Sequence, residues 1–383
     1  MRHTFALIAI TVLGAGTLSL AADGPFHLDS DAFPIGMFSV DNPGGMAQVA
    51  KMGVGYIHTY AGGRSTDEAE IARDRTYLDE AHKLGLKVMY NLHTQSWMKQ
   101  PDGLAQVLKL VNAFKAHPAL GFWYLYDEPD GSVTVEQLKP YYEAIRQATP
   151  GIPIAVCNAW SKHWYGYQDV LDILMTDIYP VTGLPFPEAK LDHVTKFAGA
   201  AVRLGKPVMP INQCFNWRAM AGQNETFRGS PVAQLRYPIE AELRYWCYAG
   251  LCQGVRGMFW WSYARSVQCG YGWINGEFAA TMREFAEFTK LVAPAHQPVT
   301  FERAQDDDIF LAMWQRPGGT YLVMVNAWPL ERPLSRGLED KLQAGTLTPV
   351  GHTRAADAKL EGGRLTVDKA LPWEAFVWKL EAR

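Results

Sequence analysis

The sequence predicts an α/β fold, a (β/α)8 TIM barrel followed by a small C-terminal antiparallel β-sandwich. Three observations carry this. Between Phe33 and Ala295, eight short β-rich runs alternate with amphipathic helical stretches. The runs are apolar almost throughout, as strands of a parallel sheet covered on both faces must be. After Pro298 the pattern becomes an alternation of apolar and polar residues, broken by Gly-Gly turns at Gly318 and Gly362.

In order, the expected strands are Phe33–Val40, Val54–Tyr60, Leu86–His93, Gly121–Tyr126, Ile152–Asn158, Ile173–Tyr179, Pro207–Cys214 and Gly257–Tyr263. Helices are expected over Glu68–Leu84, Gly103–Ala116, Val135–Ala148, Glu188–Leu204, Ile239–Cys252 and Glu277–Leu291. Gly85 and Gly205 are placed as helix stops just before the next apolar run. A doubly wound open sheet is disfavoured, because Asp41-Asn42-Pro43-Gly44-Gly45 reads as a turn and not as a GxGxxG phosphate loop. In the last segment, strands are expected over Phe301–Gln315, Thr320–Asn326, Gly345–Val350, Arg364–Val367 and Ala375–Leu380, with no long helix. Trp314, Trp328, Trp373 and Trp378 are expected in its core or at its boundary with the barrel. The domain boundaries follow as 1–21 leader, 22–295 barrel and 296–383 sandwich.

Composition narrows the function classes. The chain has 383 residues, 36 basic against 39 acidic, and a formal net charge of −3, which disfavours nucleic acid as a partner. Arg2 followed by the uncharged run Phe5–Leu20 and the small residues of Ser19-Leu20-Ala21 reads as an export leader cleaved near Ala22. The run is short for a membrane span, so stable insertion is not expected, and the mature chain is placed in the periplasm or outside the cell. Five cysteines show no metal-ligand spacing, and their pairing is not legible. No metal and no cofactor is implied, and oligomeric state is unreadable. The 13 Trp, 17 Tyr and 17 Phe suit a ligand with flat apolar faces as well as a core.

Functional groups of such a barrel stand at the C-terminal ends of its strands. Those ends read Asp41, then His58 and Tyr60, Asn91 and His93, Asp127-Glu128-Pro129, Asn158, Asp177, Gln213, and Trp260-Trp261-Ser262-Tyr263. Carboxyls for proton transfer, amides and imidazoles for hydroxyls, and rings for pyranose faces are what sugar cleavage requires. Glu128, at the mouth of the aromatic strand Phe122–Tyr126, is the expected general acid. Asp177 is the first choice for a second carboxyl, with a turn or N-cap role as its alternative. Asp127 is the second choice, and Glu242 the third, with a helix first-turn role the better reading for Glu242. Asp41, His58, Tyr60, His93, Asn158, Gln213, Trp260, Trp261 and Tyr263 are the expected substrate contacts. Trp97, Trp160, Trp164, Trp217 and Trp273 fall in the strand-to-helix loops, and the long segment from Phe215 to Gln234 reads as a lid or a wall.

Tyr126-Asp127-Glu128-Pro129 at strand four, Trp260-Trp261 at strand eight and the trailing sandwich resemble the clan A superfamily of glycoside hydrolases, which includes β-galactosidases and cellulases. The resemblance implies Glu128 as acid/base and Trp260 or Trp261 as the floor of a sugar subsite. Two departures stand out. Asp127 replaces the superfamily's Asn, and Gln213 stands where its strand-seven nucleophile Glu would be. The competing expectation is therefore a non-catalytic carbohydrate-binding barrel.

Overall fold

The computed structural model describes residues 33–292, 299–300, 308–338, 342–354 and 358–382. The expected leader over 1–21 and both domain boundaries lie outside them. Eight parallel strands close a barrel: Ile35–Met37, Tyr56–His58, Lys87–Asn91, Leu120–Asp127, Ile154–Cys157, Ile173–Asp177, Val208–Gln213 and Met258–Trp261, with the first paired to the last. Most of the predicted runs overshoot these strands at their C-terminal ends. The surplus residues, among them Tyr60, His93, Ile178 and Tyr179, leave the sheet and begin the loops that carry the site.

The helices lie close to expectation, with Val135–Ala148 matching to the residue. Thr134 and Gln137 form a capping box there that satisfies two otherwise free backbone donors. Gly85 and Gly205 stop their helices in left-handed backbone, at φ of +71° and +84°. One expectation is corrected. Asp41–Gly45 is not a simple turn, because Pro43–Ala50 is helical, with Pro43 in the first turn and the Asn42 side chain accepting from Gly45 N at 2.9 Å.

Side-chain parity decides what faces the barrel interior. Phe38, Met89, Phe122, Tyr124, Cys157, Met175, Ile211 and Phe259 pack inward as one cluster. Phe259 occupies the space over Gly36, where any added Cβ would overlap its ring. On strand four the register slips by one residue against strand five, between Tyr124 and Tyr126. Without that bulge, inward Phe122 and Tyr124 would be followed by inward Tyr126, and Asp127 would face the helices. The extra residue turns Asp127 back to the barrel mouth.

The C-terminal segment forms one hydrogen-bonded antiparallel sheet in the order 299–300, 309–316, 319–326, 375–382, 345–349, 358–361, 364–370, 332–337. It curls about its own core, so the two layers expected of a sandwich are continuous. Its other face, including Trp314, Val323 and Val377, merges with the core of the barrel. Trp373 and Trp378 are buried as expected, whereas Trp328 is 39% exposed. All five cysteines are free thiols.

Candidate active site

At the C-terminal mouth of the barrel lies an open cavity of about 650 Å³. Asp127, Glu128 and Asp177 enter it from strands four and six, and its walls include Tyr60, Trp160, Tyr179, Trp217 and Trp261. Strand four ends at Asp127, and Glu128 then turns the chain sharply with φ of +52°, its N–H donating to Cys157 O at 3.0 Å. A glutamate in left-handed backbone is strained, and strain of this kind is concentrated at functional sites.

The three carboxyls are held differently. Asp127 accepts from Tyr124 Oη at 2.6 Å and from the Tyr60 hydroxyl, which itself accepts from the Trp261 indole. Burial raises the Asp127 carboxyl above the usual aspartate value, and the two tyrosine donors offset part of that lift. Asp177 is raised further. Burial is the main cause, followed by its hydrogen bond to Glu128 and the charges of Glu128 and Asp127, while the Cys157 thiol, donating at 3.4 Å, opposes the lift. Asp177 and Glu128 therefore form a hydrogen-bonded acid pair in which Asp177 retains its proton well beyond the usual aspartate range. Glu128 is the exposed member.

The aromatic wall is a connected assembly. Tyr179 stacks on Trp261 with centroids 5.4 Å apart, and Phe215 packs its edge against both. Parity separates the two strand-eight tryptophans. Trp261 faces the cavity, whereas Trp260 points outward, fully buried against Trp246 and Phe278. Trp260 is thus removed from the expected contacts.

Several other expected contacts do structural work. Gln213 is fully buried and its amide is spent on backbone, accepting from Val181 N at 2.9 Å and donating to Val181 O at 2.8 Å and Phe215 O at 3.1 Å. His58 lies buried among Phe38, Tyr60 and Tyr124, with neither ring nitrogen partnered among the described residues. Burial, then His93, lowers its pKa well below the usual value and keeps it neutral. His93, also lowered by burial, meets Tyr60 O through Nε2 at 2.9 Å and so positions that wall residue. Asn158 donates to Asp130 Oδ1 at 3.2 Å, anchoring the loop after strand five. Asp41, which accepts from Thr59 at 2.6 Å, and Tyr263, which donates to Gln48, line an adjoining cleft of about 410 Å³ instead. Glu242 is buried, paired with Arg236 at 2.6 and 2.7 Å and accepting from Ile239 N, and does not approach the cavity.

Tyr179, read at the end of strand six but not among the expected contacts, lines the cavity, and sequence reasoning missed Met220 and Arg228 there. The length of the loop after strand seven was the available signal for the last two. That loop forms a wall, through the short helix Arg218–Ala221 and a hairpin pairing Thr226–Phe227 with Ser230–Pro231. Of the loop tryptophans, Trp160 is 63% exposed at the cavity and Trp217 lines it from beneath. Trp97 and Trp164 are buried, and Trp273 stacks on Tyr237.

The fold is shared with glycoside hydrolases. An α-amylase from Anoxybacillus superposes with a TM-score of 0.57 at 9% identity, covering 92% of this chain and 98% of its own. An α-amylase from Geobacillus thermoleovorans, solved with acarbose, gives 0.56 at 9% identity, with 92% and 99% covered. A glycoside hydrolase family 30 xylanase from Clostridium acetobutylicum gives 0.52 at 10% identity, with 92% and 96% covered. No protein-family model and no curated protein sequence matches the chain. Among the described residues no helix is long and apolar enough to cross a membrane.

Proposed function

We propose that the chain is an exported glycoside hydrolase whose catalytic pair is Asp177 and Glu128. The observation that carries the reading is the hydrogen bond between these two carboxyls inside an aromatic-walled cavity at the strand ends. A proton kept on a buried carboxyl beyond the usual aspartate range is what protonation of a departing glycosidic oxygen needs. The sequence alone assigns that proton to Glu128. The deeper burial of Asp177 makes Asp177 the donor and leaves Glu128 as the carboxylate facing the sugar. Asp127, tied to Tyr60 and Tyr124, orients Glu128 and adds negative charge beside the developing oxocarbenium ion. Trp261 and Tyr179 offer the flat faces for pyranose rings.

A substrate oxygen entering the site must part the two carboxyls. Opening to about 5–5.5 Å gives retention, and to about 6.5–9.5 Å admits a water and gives inversion. The absence of a carboxyl at the end of strand seven favours a second reading, a barrel that binds a glycan without cleaving it.

Purified full-length mature chain, screened against chromogenic glycosides and polysaccharides, distinguishes the two. For a hydrolase, Glu128→Gln lowers turnover about 10²–10⁴-fold with affinity retained. A binder shows saturable affinity in the parent and no turnover to lose. Anomer-resolved NMR of the first product then reports the stereochemistry.

A further inference from the structure

We infer that Arg228 adapts this cavity to saccharides bearing an anionic substituent, a uronate carboxylate or a sulfate ester. The inference rests on the reading of the cavity as a saccharide site. Arg228 occupies the tip of the hairpin that joins Thr226–Phe227 to Ser230–Pro231. The two turn residues, Arg228 and Gly229, have φ of +53° and +75°. Turns of this kind are filled with least strain by Asn, Asp or Gly, and arginine contributes nothing to the turn itself. What it contributes is its head group. The guanidinium carbon lies 4.2 Å from the centre of the Trp217 ring, and both residues line the cavity that holds the three carboxyls.

Stacking on an indole holds the guanidinium plane while leaving its N–H donors free. Among the described residues no carboxylate forms an ion pair with Arg228 and no acceptor takes its side-chain hydrogen bonds. A cation in a cavity with three acids, paired to none of them, has its donors available for a ligand. The fork matches two oxygens of a carboxylate or sulfate, a geometry that sugar hydroxyls do not offer. Burial raises the Asp177 carboxyl well above the usual aspartate value, which lessens the repulsion an anionic sugar meets on entry.

Calorimetric titration of the full mature chain tests this, on a Glu128→Gln background that preserves the ligand. The probes are oligosaccharides of polygalacturonate, glucuronoxylan and sulfated galactan, each beside its carboxyl-reduced or desulfated counterpart. The expected result is that one charged form binds about ten- to a hundredfold more tightly than its neutralised counterpart. Which pair shows the preference identifies the substituent. Arg228→Gln should abolish the preference and leave affinity for the neutral form intact. Arg228→Lys should recover part of it, because charge returns without the fork. Equal binding of charged and neutralised forms overturns the inference, as does a loss in Arg228→Gln that is the same for both. If the Glu128→Gln chain binds no saccharide at all, the site reading fails as well, which separates the two failures.

Discussion

Asp177→Asn separates proton chemistry from shape. The asparagine keeps the size of the side chain, can accept from the Cys157 thiol and can donate to Glu128, so the local contacts survive. What it lacks is an acidic proton. Loss of a general acid predicts a fall in turnover of about 10²–10⁴-fold. Stability should move the opposite way. The Asp177 carboxyl is raised well above the usual aspartate value, mainly by burial, so over a window starting near that value the folded state holds a proton the unfolded chain has released. The stabilising contribution is complete below the unfolded pKa and is lost as pH rises through the folded pKa. Each tenfold displacement of the proton equilibrium is worth about 1.4 kcal/mol. The variant should therefore match the parent near the usual aspartate pKa and become progressively more stable than it towards neutrality. Denaturant unfolding across that range, alongside turnover of a responsive glycoside, provides both readouts. A variant with turnover within about threefold of the parent, or one less stable than the parent at neutral pH by about 1 kcal/mol, would refute the protonated-pair reasoning.

Three further outcomes follow from the same geometry. Trp160→Ala removes a ring that is 63% exposed, so stability should change by no more than about 0.5 kcal/mol while glycan affinity falls by about 1–2 kcal/mol; unfolding and titration on the same sample check this. Gln213→Glu installs the carboxylate that the superfamily carries on strand seven, but it breaks both amide donations to backbone in a fully buried place. It should cost about 2–4 kcal/mol by denaturant unfolding and bring no gain in turnover. Intact-mass analysis of chain recovered from an exporting host should place the mature N-terminus at Ala22, and a full-length mass would refute cleavage there.

Composition and periodicity were enough for the barrel. Eight apolar runs separated by amphipathic helices admit few arrangements that cover both faces of a parallel sheet, and the strand ends then locate the functional rim. That logic expected Asp127, Glu128, Asp177, Tyr60 and Trp261 at the rim, and all five line one cavity there. It did not distinguish Trp261 from Trp260, because an end-of-strand position says nothing about which of two neighbours faces inward. It could not foresee the bulge that re-aims Asp127, since an extra residue exists only relative to the partner strand. Nor could it tell that Gln213 would be consumed by backbone and the Asn158 amide N–H by Asp130, while Arg228, eleven positions beyond Trp217, would fold back to the rim. Local pattern determines which residues are near the mouth of the barrel. Which of them keep free polar atoms there is decided by long-range contacts, because a hydrogen-bonding group is available to a ligand only when nothing else in the folded chain has claimed it.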